Sequence, residues 1–185
     1  MSKILSVSVA AYNVEQFIKQ NIESFIETEV SSKIELLIVD DGSKDNTAAI
    51  AKEYEEKYPE TVKLVQQANA GPGSTVNTGL KNATGKYFRM VDGDDWVNKK
   101  DLVRYINFLE EHDVDVVYTD YCLVDNESGE EVLKKIQFNN KNVILPYDEV
   151  ADKIEVFMHN VTYKTSILKD NGFVIDNCFY TDMEY

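Results

Sequence analysis

The chain has 185 residues, enough for one domain that hides roughly 70% of the surface its unfolded chain would expose. Its 43% hydrophobic and 11% aromatic content, with only three prolines, excludes a disordered polymer and fits a folded globular protein. Thirty-three acidic against nineteen basic residues leave a formal net charge of -14. Such a field excludes long nucleic acids as partners, yet attracts a divalent cation that can present a small anionic ligand to an acidic protein.

The start of the chain, Met1 to Ala11, superficially mimics a secretion signal. Its apolar stretch is short and broken by Ser6 and Ser8, so Ile4 to Val9 reads instead as a buried first strand. Asn13-Val14-Glu15-Gln16 then resembles a capping box, and Val14, Ile18, Ile22, Phe25 and Ile26 continue at helical spacing. Ile34 to Val39 is an almost unbroken apolar run, the pattern of a strand covered on both faces in a parallel sheet, and it stops at Asp40-Asp41-Gly42-Ser43.

A second helix is expected from about Asp45 to just before Pro59, followed by a short strand from Val62 to Val65. Asn69-Ala70-Gly71-Pro72-Gly73 is a loop, Ser74 to Asn82 a helix, and Tyr87 to Val91 the next strand. Directly after that strand stands Asp92-Gly93-Asp94-Asp95. A helix from Asp101 to Glu111 leads to a strand from Val114 to Tyr118.

Alternation of this kind predicts right-handed crossovers and a mostly parallel, doubly wound α/β sheet. Ligands of such sheets bind beyond the carboxyl ends of the strands, so Ala11-Tyr12-Asn13, Asp40-Asp41 and Asp92 to Asp95 should share one rim. Beyond residue 119 the pattern becomes hairpin-like, with Asn126-Glu127-Ser128-Gly129 as a turn between Tyr121 to Val124 and Glu130 to Phe138. No run reaches the roughly 20 apolar residues of a membrane span. Cys122 and Cys178 form neither a disulfide framework nor a zinc spacing, which suits a reducing cytosol. The chain stops at Thr181-Asp182-Met183-Glu184-Tyr185 as though inside an element, so a longer protein is expected.

Three carboxylates within four residues are costly unless a cation or hydrogen-bond donors compensate them. Carboxylate oxygens suit magnesium or manganese, which in phosphate sites take one or two protein carboxylates and fill the shell from the phosphates. A solvated turn capping the helix near Asp101 is the competing reading. Neither an EF-hand loop, which needs alternating acids and a closing Glu, nor a phosphatase-type Asp-x-Asp, which needs Thr or Val where Asp95-Trp96 stands, is present. Asp41 offers a carboxylate to a base N–H, or else serves an ordinary strand-turn-helix cap. Tyr12 offers a face for a base, or else packs. His159 offers a metal or acceptor contact against a packing or capping role. Lys81, Lys86 and Arg89 read as solvated or structural charges, His112 as a surface residue, and Trp96 as a core or acceptor-side residue.

The ordered succession Val7 to Asn13, Leu37 to Thr47, Asn69-Ala70-Gly71, Asn77-Thr78-Gly79-Leu80, Gly85-Lys86-Tyr87 and Asp92-Gly93-Asp94-Asp95 resembles glycosyltransferase family 2 across about residues 3 to 118. The resemblance implies a GT-A fold: a Rossmann-like, doubly wound sheet with a smaller mixed acceptor-side region. It also implies an inverting transfer of a sugar from a nucleotide-sugar, commonly a UDP-sugar, to an acceptor hydroxyl on a glycan or glycolipid. On that basis residues 1–118 form the nucleotide-sugar-binding subdomain and 119–185 the acceptor side.

The same resemblance places Ala10 and Tyr12 at the base pocket, Asp41 on the base N–H, and Asp92 and Asp94 at the Asp-x-Asp. Asp94 leads as ligand of Mn2+ or Mg2+, and Asp95 shares metal or ribose contacts. Phe179-Tyr180-Thr181-Asp182 resembles the segment carrying the family's catalytic base, with Asp182 in that position and a helix cap as its alternative. Two departures stand out: Ala10-Ala11 replaces the frequent Pro-x or Thr-Ser, and no arginine precedes Asn77. Work on surface polysaccharide in the cytoplasm follows by resemblance, with peripheral association at the inner membrane face open. The rival of a different class is a non-catalytic nucleotide-sugar-binding module. A sugar nucleotidylyltransferase is a third option, which normally opens with a Gly-rich, Arg-containing phosphate loop that Ala10 to Asn13 does not form.

Overall fold

The computed structural model describes residues 2–125, 128–134, 144–146, 149 and 158–176. In chain order the regular elements are β1 (Leu5–Ala11), α1 (Ile18–Phe25), β2 (Ile34–Asp40), α2 (Thr47–Lys57), β3 (Val62–Gln66), α3 (Pro72–Asn82) and β4 (Tyr87–Asp92). There follow α4 (Lys99–Glu111), β5 (Val116–Tyr118), β6 (Tyr121–Val124), β7 (Glu131–Lys134), β8 (Val161–Lys164) and α5 (Thr165–Asp170). Six strands make one sheet in the order β3-β2-β1-β4-β8-β5, and β6 pairs with β7 separately.

The pairs β1–β2, β1–β4 and β2–β3 are parallel, as the apolar runs predict. Every residue of β2 is buried, because helices cover both faces of the sheet. In β4 the faces separate cleanly. Tyr87 and Val91 join the core made with α1 and α4, whereas Phe88 and Met90 join the one made with α3 and α5. The second layer sits very close: a Cβ on Gly79 of α3 would lie 1.8 Å from Ser8 Oγ, so only glycine allows that approach.

A carboxylate is buried in the middle of this sheet. Glu35, 1% exposed, accepts from Ser6 Oγ (2.8 Å), Lys63 Nζ (2.6 Å), Thr84 N (2.9 Å) and Thr84 Oγ1 (3.0 Å). Burial alone would raise its carboxyl, but the bonds from Lys63, Thr84 and Ser6 outweigh it and hold the group below the usual range.

The structure departs from the sequence reading at the first helix. Asn13 does not cap α1; it sits at φ 53°, and the helix begins only at Ile18, with no side-chain cap. Its polar atoms turn instead to the next loop, where Asn13 N donates to Ser43 Oγ (3.0 Å) and Lys44 N donates to Asn13 Oδ1 (2.8 Å). Late in the sheet, where the sequence reading assigned no strand order, β5 does not pair with β4. The later strand β8 lies between them, antiparallel to both, so β5 keeps the direction of β4 without touching it. The hairpin expected after residue 119 is present as β6–β7, with Gly129 at φ 71° in its turn, while residues 126–127 and 135–138 of that expectation lie outside the described residues. Among the described residues no helix is long and apolar enough to cross a membrane.

Candidate functional site

The parallel strands run β3-β2-β1-β4, so the winding reverses between β1 and β4. A crevice opens at such a switch point, beyond the carboxyl ends of the strands. Register brings the expected residues there: Ala10 pairs with Val39 on one side and Asp92 on the other, and Ala11 pairs with Asp40. Backbone bonds extend the pairing past the strand ends. Asp41 N donates to Ala11 O (2.9 Å), and Gly93 N donates to Ala10 O (2.9 Å). All three polar segments therefore share one rim, and Tyr12, 46% exposed, stands on it immediately after Ala11.

Asp41 has more to do than the sequence suggests. It is 3% exposed, and its Oδ1 accepts from Gln67 Nε2 (2.7 Å) and Ala70 N (3.0 Å) while Oδ2 accepts from Gly71 N (2.9 Å). The carboxylate thus holds the loop before α3. A carboxylate has about four acceptor positions, so one on Oδ2 is left over. Asp40 supports the same turn by accepting from Ser43 N (3.2 Å). Gln67, unforeseen from the sequence, ties Asp41 to Ser74 Oγ (2.9 Å) and accepts from Thr78 Oγ1 (2.5 Å).

The acidic segment is a tight turn, closed by a bond from Asp95 N to Asp92 O (3.1 Å). Gly93 is required, since a Cβ there would meet Ala10 O and Val14 Cγ2, each at 2.9 Å. The helix-capping alternative fails on geometry. Asn98 caps α4, its side chain accepting from Lys100 N (2.9 Å) and Asp101 N (3.3 Å), so the helix does not consume the acidic turn. Among the described residues neither Asp94 oxygen takes part in a hydrogen bond. Asp95 keeps solvent contact, yet desolvation by the cleft walls and then the Asp94 charge push its carboxyl up, against the pull of His159 and Arg89.

These carboxylates fit a hard divalent cation in a partial form. Among the described residues no three acidic, histidine or cysteine side chains converge into an all-protein cage. Magnesium and manganese do not need one in a phosphate site, where one or two carboxylates suffice and phosphate and water oxygens complete the shell.

Beneath the turn lies Asn21, which the sequence reading passed over. Its Nδ2 donates to Asp92 O (3.0 Å) and Asp95 O (2.8 Å) from a fully buried position on α1. A polar residue on the stripe Ile18, Asn21, Ile22 and Phe25 was the available signal.

The far wall of the cleft comes from β4, β5, β6 and the turn before β8. Trp96 is 37% exposed on it, which removes the core reading of that residue. His159 meets the Tyr121 ring edge-on at 4.6 Å. Arg89 reads as structural: its guanidinium donates to Thr119 Oγ1 (3.0 Å), Thr162 Oγ1 (3.3 Å) and the His159 carbonyl. Lys86 is likewise occupied, on His112 O (3.0 Å) and Asp113 (3.3 Å). His112 is half-buried and stacks on Phe108 rather than lying free on the surface. Asp182 lies outside the described residues.

The fold agrees with that of known proteins. A model of glycosyl transferase family 2 matches residues 6–173. The minor teichoic acid biosynthesis protein GgaB of Bacillus subtilis is 35% identical over 139 residues, which cover 74% of this chain and 15% of GgaB. The poly(ribitol-phosphate) beta-N-acetylglucosaminyltransferase TarS of Staphylococcus aureus is 30% identical over 172 residues, 90% of this chain and 28% of TarS. The chain thus spans well under half the length of these curated relatives. The crystal structure of S. aureus TarS 1-349 in complex with UDP-GlcNAc superposes with a TM-score of 0.72 at 29% identity, covering 94% of this chain and 48% of that one. With a GT-A fold, a rim assembled at its switch point and a family match over most of its length, the chain belongs to glycosyl transferase family 2.

Proposed function

We propose that this chain is the donor-binding part of an inverting, metal-dependent glycosyltransferase that takes a UDP-sugar and serves surface polysaccharide or glycoconjugate synthesis. The observation that carries the reading is the meeting of Ala10 with Asp92 at the switch point, which sets Tyr12, Asp41 and the acidic turn on one rim. TarS, crystallised with UDP and with UDP-GlcNAc, supports the choice of nucleotide.

In this reading the base lies by Ala10 and Tyr12, with its N–H directed to the remaining acceptor position of Asp41. Asp94 and Asp92 hold Mn2+ or Mg2+, and Asp95 adds a metal or ribose contact. When bound, the cation supplies positive charge against the diphosphate as it leaves, an interaction that strengthens in the transition state. The acceptor oxygen forms a bond to the anomeric carbon while the bond to the diphosphate oxygen breaks, its electron pair leaving with the nucleoside diphosphate. The acceptor proton passes to the Asp182 carboxylate, for which reach to the attacking hydroxyl matters more than pKa. Residues 1–118 supply the donor side and 119–185 face the acceptor, a glycan or glycolipid.

Calorimetry tests the donor site directly. UDP should bind more tightly with Mn2+ present, and Asp94→Ala should abolish that gain. A gain that survives Asp94→Ala removes the metal assignment. Transfer in the full-length protein, absent in Asp182→Asn with donor binding intact, separates an enzyme from a binding module.

A further inference from the structure

Resting on the donor-site reading, we propose that Asn21, seconded by Ser24, is a positioning residue that sets the acidic turn for its cation. The turn carries Asp94 and Asp95 on backbone alone, since neither side chain is hydrogen-bonded among the described residues. What holds that backbone comes from α1. The two Nδ2 protons of Asn21 take the carbonyls of Asp92 (3.0 Å) and Asp95 (2.8 Å), the first and last residues of the turn. Ser24 sits one helical turn on. Its Oγ donates to Asn21 O (2.6 Å) and accepts from Val97 N (3.2 Å), which fixes the chain leaving the turn.

The chemistry leaves one orientation for the amide. Two carbonyl acceptors require the NH2 end, and Oδ1 is then buried with no hydrogen-bond partner among the described residues. A buried acceptor without a donor is costly, and an apolar residue would avoid that cost beside Ile18, Ile22 and Phe25. Asparagine at this position is explained by the two bonds it does make. With Gly93 N held by Ala10 O (2.9 Å), the turn is fixed on the strand side and the helix side at once, which restricts the directions open to Asp94 and Asp95. Such outer-shell contacts govern how well a carboxylate site meets its ion.

The test is calorimetry of UDP binding to the full chain with and without Mn2+, in wild type, Asn21→Leu and Asp94→Ala. Leucine keeps the number and branching of the side-chain heavy atoms and removes both donors. The expected result for Asn21→Leu is metal-free UDP affinity within about twofold of wild type, with the gain from Mn2+ reduced about tenfold. A merely structural role would not single out that gain. An unchanged gain in folded Asn21→Leu, where Asp94→Ala has lost it, overturns the positioning role alone. A gain that survives Asp94→Ala overturns the donor-site reading instead. Should Asn21→Leu fail to fold by near-ultraviolet dichroism, Ser24→Ala decides. A gain reduced about threefold there sustains the inference, and an unchanged one sinks it.

Discussion

Replacing Asp41 with asparagine removes one acceptor oxygen and installs two donors in a place where three donors already converge. In the better of the two amide orientations, the remaining oxygen keeps Gln67 Nε2 and Ala70 N, and the new NH2 faces Gly71 N, now 2.9 Å from Oδ2. One buried donor loses its acceptor and the other two bonds lose their charge assistance, a cost of about 2 kcal/mol. At roughly 2–4 °C per kcal/mol for a chain of this size, Tm should fall by about 4–8 °C. Scanning calorimetry reads the fall, and urea titration should show a lower midpoint at unchanged slope, because the surface exposed on unfolding is the same. UDP titrations without metal should weaken in parallel, since the 69–71 loop loses its anchor. A Tm within about 1 °C of wild type would refute the reasoning, for it would mean that Asp41 does not hold the loop.

Three further outcomes follow from the geometry. Gly93→Ala places a Cβ against Ala10 O and Val14 and should cost about 1–3 kcal/mol, with UDP affinity in the presence of Mn2+ falling more than affinity without it. Glu35→Gln neutralises the buried carboxylate and breaks its pair with Lys63, whose side chain is 47% exposed, and should destabilise by about 1–2 kcal/mol at neutral pH in urea titrations. The Glu35 carboxyl is depressed in the fold, so its contribution is fully present above the unfolded value. It is lost as pH falls through the folded one, and between about pH 5 and 2 the wild type should lose stability faster than Glu35→Gln. Asn77→Leu removes the two-way clamp on Ile175, Nδ2 to O at 2.8 Å and N to Oδ1 at 2.9 Å. Proteolysis between residues 171 and 185 should then speed up while UDP affinity stays unchanged.

Much of the fold is legible because burial on both faces leaves a short apolar run, which its length and a glycine-bearing stop distinguish from a buried helix. Ile34 to Val39 shows this for β2, and the helix stripe Ile18, Ile22 and Phe25 shows the same logic at another period. The capping box at Asn13 misleads for a definite reason. The same polar atoms that can bond forward to a helix can bond sideways to a loop brought near by strand pairing, and Ser43 and Lys44 are nearer partners than the helix start. The place of β8 is illegible for a similar reason, since a four-residue strand carries too little pattern to say which edge it will pair with.

For the site, the chain by itself determined the side-chain chemistry on offer: an aromatic at the end of the first strand, an acid pair at the end of the second and a glycine-hinged acid cluster at the end of the fourth. These are properties of residue type and order, which survive without coordinates. Only the tertiary structure decided what those groups are free to do. Asp41 is largely engaged by Gln67, Ala70 and Gly71, whereas Asp94 is left to face the cleft and Asn21, an unremarked residue on a helix stripe, grips the acidic turn from below. Hydrogen bonds between segments distant in sequence are set by which backbones the sheet brings together, and that is information no single segment contains.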